Sequence, residues 1–100
     1  MIADSSTLPE QLVKDVIASA FVSAGQRCSA LRVLFIQEDI ADSTLKMLSG
    51  AMQEMTIAHP TNYAADVGPL IDKMALDKLN AHVDYIKSHG TLVKALEVPK

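Results

Sequence analysis

The feature that most constrains this chain is a nearly unbroken apolar run over 31–37, Leu-Arg-Val-Leu-Phe-Ile-Gln. β-Branched and aromatic residues without polar alternation are typical of a strand that is buried on both faces, as in a parallel sheet. Neighbouring parallel strands need crossover connections, which are usually helices. The run therefore predicts an α/β fold with helical segments on both sides of it along the chain.

A long helix is predicted before this run. Apolar residues recur at helical spacing over about 8–23, and Gly25 follows as a natural stop. Thr7 and Glu10 have the spacing of a capping box, in which each side chain satisfies a free backbone N–H at a helix start. Pro9 falls in the first turn, where its missing N–H costs nothing.

Two further helices are predicted after the run. Glu38 and Asp39 place negative charge at the positive end of the first, which reaches about residue 55. Its buried stripe is expected to consist of Ile40, Thr44, Leu48, Ala51, Met52 and Met55. Four methionines are expected to fill the core: Met47, Met52, Met55 and Met74. The connection over 56–71 is longer than the usual one of about 4–6 residues. Asp72 begins the last helix and Gly90 ends it. Its inward-facing residues are expected to be Ala75, Leu76, Leu79, Val83 and Ile86.

Short strands at 1–3 and 91–94 complete a predicted β-α-β-α-loop-α-β order with parallel strands. So few short strands leave sheet edges and apolar helix faces bare. We therefore expect residues 1–100 to be one segment of a larger α/β domain. We also expect the chain to form a homo-oligomer through the sheet edge or the helix faces.

Charge and composition argue against several classes of protein. Nine Lys and Arg against 12 Asp and Glu give a net charge of −3, which disfavours nucleic-acid binding. No apolar run approaches the roughly 20 residues that cross a bilayer, and no secretory signal is visible. A single cysteine excludes an internal disulfide and a multi-cysteine zinc site, so the default compartment is the cytoplasm. The four glycines are isolated, so a self-contained nucleotide site is not expected.

Cys28 is the candidate nucleophile. It follows Gly25 in the connection between a helix and the apolar run, and the adjacent Arg27 favours the reactive thiolate. The alternative is a small buried hydrophobic residue, as most lone cysteines are. His59, His82 and His89 have no partners at metal-ligand spacing, so they are interpreted as structural or solvated residues and no metal site is expected.

Residues 21–32, Phe-Val-Ser-Ala-Gly-Gln-Arg-Cys-Ser-Ala-Leu-Arg, strongly resemble the catalytic-cysteine motif of the aldehyde dehydrogenase superfamily. Residues 33–41 resemble the strand and helix that follow that cysteine, and residues 66–72 resemble the loop before the next helix. The stretches 27–32 and 37–42 are most similar to the glutamate-γ-semialdehyde (Δ1-pyrroline-5-carboxylate) dehydrogenase domain of the bifunctional proline utilization A flavoenzymes. The implied fold is a fragment of the aldehyde dehydrogenase catalytic domain.

The resemblance implies roles for three residues. Cys28 matches the nucleophile that attacks the aldehyde carbon, and its backbone N–H would donate to the oxyanion. Ser29 would help to hold the carboxylate of the substrate, glutamate semialdehyde. Arg27 would lie in the same substrate-binding loop. NAD would accept the hydride in the full-length parent, and no cofactor is expected in this chain.

The family's Glu-x-Gly-Gly base, its oxyanion asparagine, its NAD domain and its Glu-x-Phe-Gly-Pro segment have no counterpart in the sequence. We therefore expect the isolated chain to be inactive. Two alternatives stay open: a stand-alone, non-catalytic α/β module that associates with itself or a partner, and a thiol-reactive sensor that uses Cys28 alone.

Overall fold

Residues 1–99 are described by a computed structural model, and they form an α/β arrangement with a small parallel sheet. The elements in chain order are β1 (Ile2–Ala3), α1 (Pro9–Ala20), a 3₁₀ turn (Val22–Gly25), β2 (Phe35–Ile36), α2 (Glu38–Gln53) and α3 (Lys73–His89). The predicted α/β class is confirmed, as is the strand-helix-strand-helix-loop-helix succession.

The sheet consists of β1 and β2, which run parallel with Ile2 opposite Phe35. The Phe35 N–H donates to the Met1 carbonyl and the Gln37 N–H donates to the Ala3 carbonyl, both at 2.9 Å. Helix α1 is the crossover between the two strands, so the predicted parallel pairing is confirmed.

The predicted burial of the apolar run on both faces is wrong. Within 31–37 only two residues form a strand, and the Phe35 side chain is 66% exposed. Leu31, the first residue of the run, contacts the C-terminal end of α1 instead of the sheet: its N–H donates to the Ser19 carbonyl at 3.1 Å. Among residues 1–99, no third strand continues the sheet beyond β2.

The core lies between β1, α1 and α2. Ala3, Leu12 and Val16 form its buried centre, and Ala3 is only 1% exposed. The side chains packed around this centre are Leu31, Leu34 and Leu48. Helices α1 and α2 pack against each other. The stripe predicted for α1 is confirmed by the buried Leu12, Val13 and Val16, whereas in α2 Thr44 is buried and the rest of the predicted stripe is half-buried.

The capping box predicted for Thr7 and Glu10 is wrong. Leu8 occupies the N-cap position of α1, and no side chain caps the helix. The preceding turn satisfies its own groups, because the Asp4 carboxylate accepts from the Ser6 hydroxyl at 2.6 Å and from the Ser6 N–H at 2.9 Å. These two hydrogen bonds, the hydroxyl's first, lower the pKa of Asp4.

Helix α3 begins as predicted, since the Asp72 carboxylate accepts from the Ala75 N–H at 2.8 Å. It also ends as predicted at Gly90. The predicted inward face is wrong, because α3 has no buried residue, and its large apolar side chains are exposed rather than packed: Met74, Leu76, Leu79, Val83 and Ile86. Met74, at 77% exposure, therefore does not fill a core.

The strand predicted at 91–94 is wrong. These residues have no strand partner, and Leu92 and Val93 are exposed. The loop over 56–71 folds back on itself through a parallel bridge between Ile57 and Val67. Each helix within residues 1–99 is too short or too polar to cross a membrane.

The 3₁₀ turn reverses the chain at the end of α1, which stops at Ala20, earlier than the predicted residue 23. Ser23, Ala24 and Gly25 all lie in the left-handed region, with φ values of 58°, 53° and 67°. A Cβ on Gly25 would lie 2.9 Å from the Ala20 carbonyl oxygen. Glycine is therefore required at residue 25, because both the positive φ and the lack of space for a Cβ disfavour any other residue.

We expect Gly25→Ala to lower the free energy of unfolding by about 1–3 kcal/mol, because it adds a strained conformation and a backbone clash. Gly50→Ala is the matched control, since Gly50 lies in α2 with open space at its Cβ position. That change should stabilise the chain by about 0.5–1 kcal/mol. Chemical denaturation measures both, and equal effects of the two substitutions would contradict this account of the turn.

Candidate active site

Cys28 lies on the surface as a free thiol. It occupies a β-turn that is closed by a 3.1 Å hydrogen bond from the Ala30 N–H to the Arg27 carbonyl. Cys28 and Ser29 are the two central residues of this turn. The alternative in which the sulfur is a small buried hydrophobic residue is therefore wrong.

The turn leaves two backbone donors unused. Among residues 1–99, the N–H groups of Cys28 and Ser29 have no hydrogen-bond acceptor, and neither has the Ser29 hydroxyl. Donors next to a thiol are what an oxyanion hole requires, because charge that develops on a substrate oxygen needs an N–H or O–H aimed at it. The arrangement can therefore combine an accessible sulfur with adjacent donors.

Arg27 is bound to the end of α1. Its guanidinium donates to the Ala18 carbonyl at 3.0 Å. A cation at this position suits the negative end of the helix dipole and satisfies a carbonyl that has no partner within the helix. The side chain thereby anchors the turn that carries Cys28, a structural role that the sequence did not reveal.

The left-handed loop over 23–25, which precedes the Cys28 turn, is also held by a residue that follows the turn. The Arg32 guanidinium donates to the Gly25 carbonyl at 2.9 Å. Three successive left-handed residues are unfavourable on their own, so they need surrounding contacts to hold them. Arg32, Arg27 and the helix end supply these contacts.

Gln26 is a residue of this site to which the sequence analysis assigned no role. Its Oε1 accepts from the Ile71 N–H at 2.9 Å, and its Nε2 donates to the Ser23 carbonyl at 3.0 Å and to the Pro69 carbonyl at 3.4 Å. The signal available in the sequence was that both 21–32 and 66–72 carried the family resemblance. Gln26 joins these two stretches.

Two apolar grooves open on the surface away from Cys28. One, of about 710 Å³, lies between the 57–59 and 67–73 segments and the C-terminal tail. The other, of about 360 Å³, lies between α2, α3 and residues 91–94. None of Arg27, Cys28 and Ser29 lines either groove, so neither is a substrate pocket around the sulfur.

The histidines do not assemble into a metal centre. His59 contacts the Thr61 hydroxyl at 2.9 Å, and His82 and His89 stack on Tyr85 with ring centroids 6.4 and 4.1 Å apart. Within residues 1–99, no three His, Cys, Asp or Glu side chains lie close enough to bind a metal ion together. The interpretation of the three histidines as structural or solvated residues stays a prediction.

Known proteins resemble this chain closely. The "Bifunctional protein PutA" of Escherichia coli is 56% identical over 90 residues, which are 90% of this chain and 7% of that protein. A "1-pyrroline-5-carboxylate dehydrogenase" of Bacillus thuringiensis is 32% identical over 93 residues, 93% of this chain and 18% of that protein. A crystal structure of bifunctional proline utilization A superposes with a TM-score of 0.98 at 50% identity, over 100% of this chain and 10% of that one.

The chain thus spans less than a fifth of the length of these relatives. The Aldehyde dehydrogenase family model matches residues 1–96, which is nearly the whole sequence. On this match and the identities above, the chain with the exposed Cys28 turn belongs to the aldehyde dehydrogenase family.

Proposed function

We propose that this chain is the catalytic-cysteine segment of an NAD-dependent L-glutamate-γ-semialdehyde (Δ1-pyrroline-5-carboxylate) dehydrogenase of proline catabolism. The observation that carries the proposal is the exposed thiol of Cys28 in a turn whose neighbouring N–H groups are unused. Relatives named for 1-pyrroline-5-carboxylate dehydrogenase and for proline utilization support the substrate class. The free thiol suits a reducing compartment, so we propose a cytoplasmic location.

The step assigned to this chain is addition of the Cys28 thiolate to the aldehyde carbon. A C–S bond forms, the C=O π bond breaks, and its electron pair moves to the oxygen, which gives the oxyanion of a thiohemiacetal. The Cys28 N–H donates to the oxyanion, and the Ser29 hydroxyl binds the substrate's carboxylate. Arg27 holds the turn in place through its hydrogen bond to the Ala18 carbonyl.

The residues described do not fit a dinucleotide. Phosphates bind at helix N-termini that carry glycine-rich turns and no negative charge. Glu38 and Asp39 instead occupy the first turn of α2, and Leu8 and Pro9 begin α1. NAD, which we propose for the full-length parent, would be held by other residues of that protein and would supply a hydride acceptor there.

A chimeric enzyme tests the role of Cys28. Residues 1–96 would replace the matching segment of the Escherichia coli relative, and semialdehyde oxidation would be followed by NADH absorbance. We expect Cys28→Ala to lower kcat by roughly 10⁴-fold or more, because the covalent route is lost. Ser88→Ala, at the exposed end of α3, is the control and should retain full activity. A Cys28→Ala chimera with substantial activity would refute the proposal.

The 100-residue chain on its own should show no measurable NAD-dependent aldehyde oxidation. Proton transfer and the alignment of the reactants provide most of the rate, and the sequence has no counterpart of the family's Glu-x-Gly-Gly base or of its NAD domain. The measurement is NADH formation at high chain concentration with glutamate semialdehyde. Saturable turnover, abolished by Cys28→Ala, would overturn this expectation.

Self-association is a second proposed property, favoured by the uncovered face of α3. Leu76, Leu79, Val83 and Ile86 are 43–49% exposed along one helix, and Phe35 is exposed in the sheet. Apolar surface of this kind is removed from water when two copies pack together. We propose a homo-oligomer through these faces.

Sedimentation velocity of the 100-residue chain measures this association. We expect an oligomer that the double substitution Leu79→Glu and Val83→Glu converts to a monomer, because charges on the face oppose burial. Ser88→Glu, on the same helix, should leave the oligomer intact. A monomeric unmodified chain at high concentration would rule the association out.

A further inference from the structure

We propose that Gln26 is a positioning residue that fixes the Cys28 turn against the segment 69–71 and so sets where the sulfur lies. The proposal rests on the function proposed above for Cys28. The Gln26 side chain forms hydrogen bonds to backbone groups of the loop before Cys28 and of the 69–71 segment, and no contact with substrate is assigned to it.

Both the oxygen and the nitrogen of the Gln26 side-chain amide form hydrogen bonds to residues that are distant in the sequence. Its oxygen accepts from the Ile71 N–H at 2.9 Å, a residue 45 positions away, while its nitrogen donates to the Pro69 carbonyl at 3.4 Å. A primary amide that accepts from one residue and donates to the residue two before it imitates a neighbouring strand. The side chain therefore fixes both the distance and the orientation of the 69–71 segment.

The same nitrogen also bonds within the loop, to the Ser23 carbonyl at 3.0 Å. Ser23 is the first of the three residues with positive φ. Gln26 thus holds the strained part of the loop and the 69–71 segment at once. Because Gln26 is two residues before Cys28, a shift of its backbone moves the sulfur directly.

Within residues 1–99, few contacts other than the Gln26 hydrogen bonds hold the 69–71 segment against the Cys28 loop. The extensive packing in the molecule is between α1 and α2, and α3 has no buried residue. The 69–71 segment leads straight into Asp72, the N-cap of α3. The Ile57–Val67 bridge holds the loop before this segment, and the Gln26 amide links the segment itself to the loop that carries Cys28.

The first test measures the hydrogen bond from Ile71 to Gln26 in the full 100-residue chain by amide hydrogen exchange. We expect Gln26→Met to speed exchange of the Ile71 N–H about tenfold or more, since its acceptor is gone. Gln11→Met is the matched control, because Gln11 is an exposed glutamine whose amide bonds Asp15 on the same helix. Equal exchange in the two variants would overturn the proposal.

The second test measures the consequence for catalysis in the chimeric enzyme. We expect Gln26→Met to lower kcat roughly 10- to 100-fold, because small misplacements of a reacting group are costly, while KM for the semialdehyde changes less than about threefold. Gln26→Glu keeps an oxygen for the Ile71 N–H and should recover part of the loss. The melting temperature of each variant is measured alongside.

The outcomes separate the two proposals. If Cys28→Ala retains activity, the proposed function is wrong whatever Gln26 does. If Cys28→Ala is inactive but Gln26→Met has the kcat of Gln11→Met, the function stands and the positioning role is wrong. A loss of kcat that merely follows a fall in melting temperature, with no recovery in Gln26→Glu, would also refute the positioning role.

Discussion

The unpaired carbonyls at the C-terminal end of α1 are the constraint on which the rest of the structure depends. A helix leaves its last carbonyl groups without partners within the helix, and donors from elsewhere in the chain can satisfy them. Here the Arg27 guanidinium bonds the Ala18 carbonyl and the Leu31 N–H bonds the Ser19 carbonyl. To bring both donors back, the chain must reverse between them and α1. The left-handed residues around Gly25 and the exposed Cys28 turn are the consequences of that reversal.

The same reversal explains why a seven-residue apolar run yields so short a strand. Once Leu31 is held at the helix end, the chain reaches the register of β1 only at Phe35, where it pairs with Ile2. Of the intervening residues, Arg32 donates to the Gly25 carbonyl and Leu34 packs against the core, while the Val33 carbonyl accepts from the Met1 amino group at 2.9 Å. Local β propensity was real, but the length of the strand was set by a helix terminus earlier in the chain.

Elements whose signals are local were predicted well, and those that need a distant partner were not. Asp72 carries its capping acceptor with it, so the start of α3 was predictable from the sequence. The burial of its apolar face was not, because periodicity reports which residues share a face and not what covers them. The capping box at Thr7 failed for a local reason, since Asp4 and Ser6 formed a competing turn one step earlier. The strand at 91–94 lacked a neighbour altogether.

The residues of the candidate site also fall into those that the sequence revealed and those that only the fold revealed. A lone thiol beside a helix end could be found from residue types, and its exposure agrees with a reactive role. Gln26 could not, because an amide has no preferred partner until the fold brings Ile71 to it. The two grooves described lie away from Cys28, so the role proposed for this segment rests on the exposed thiol and the donors beside it rather than on a binding cavity. On the proposed function, selectivity for the aldehyde would come from residues outside this turn, and the turn would supply the thiol and the donors beside it.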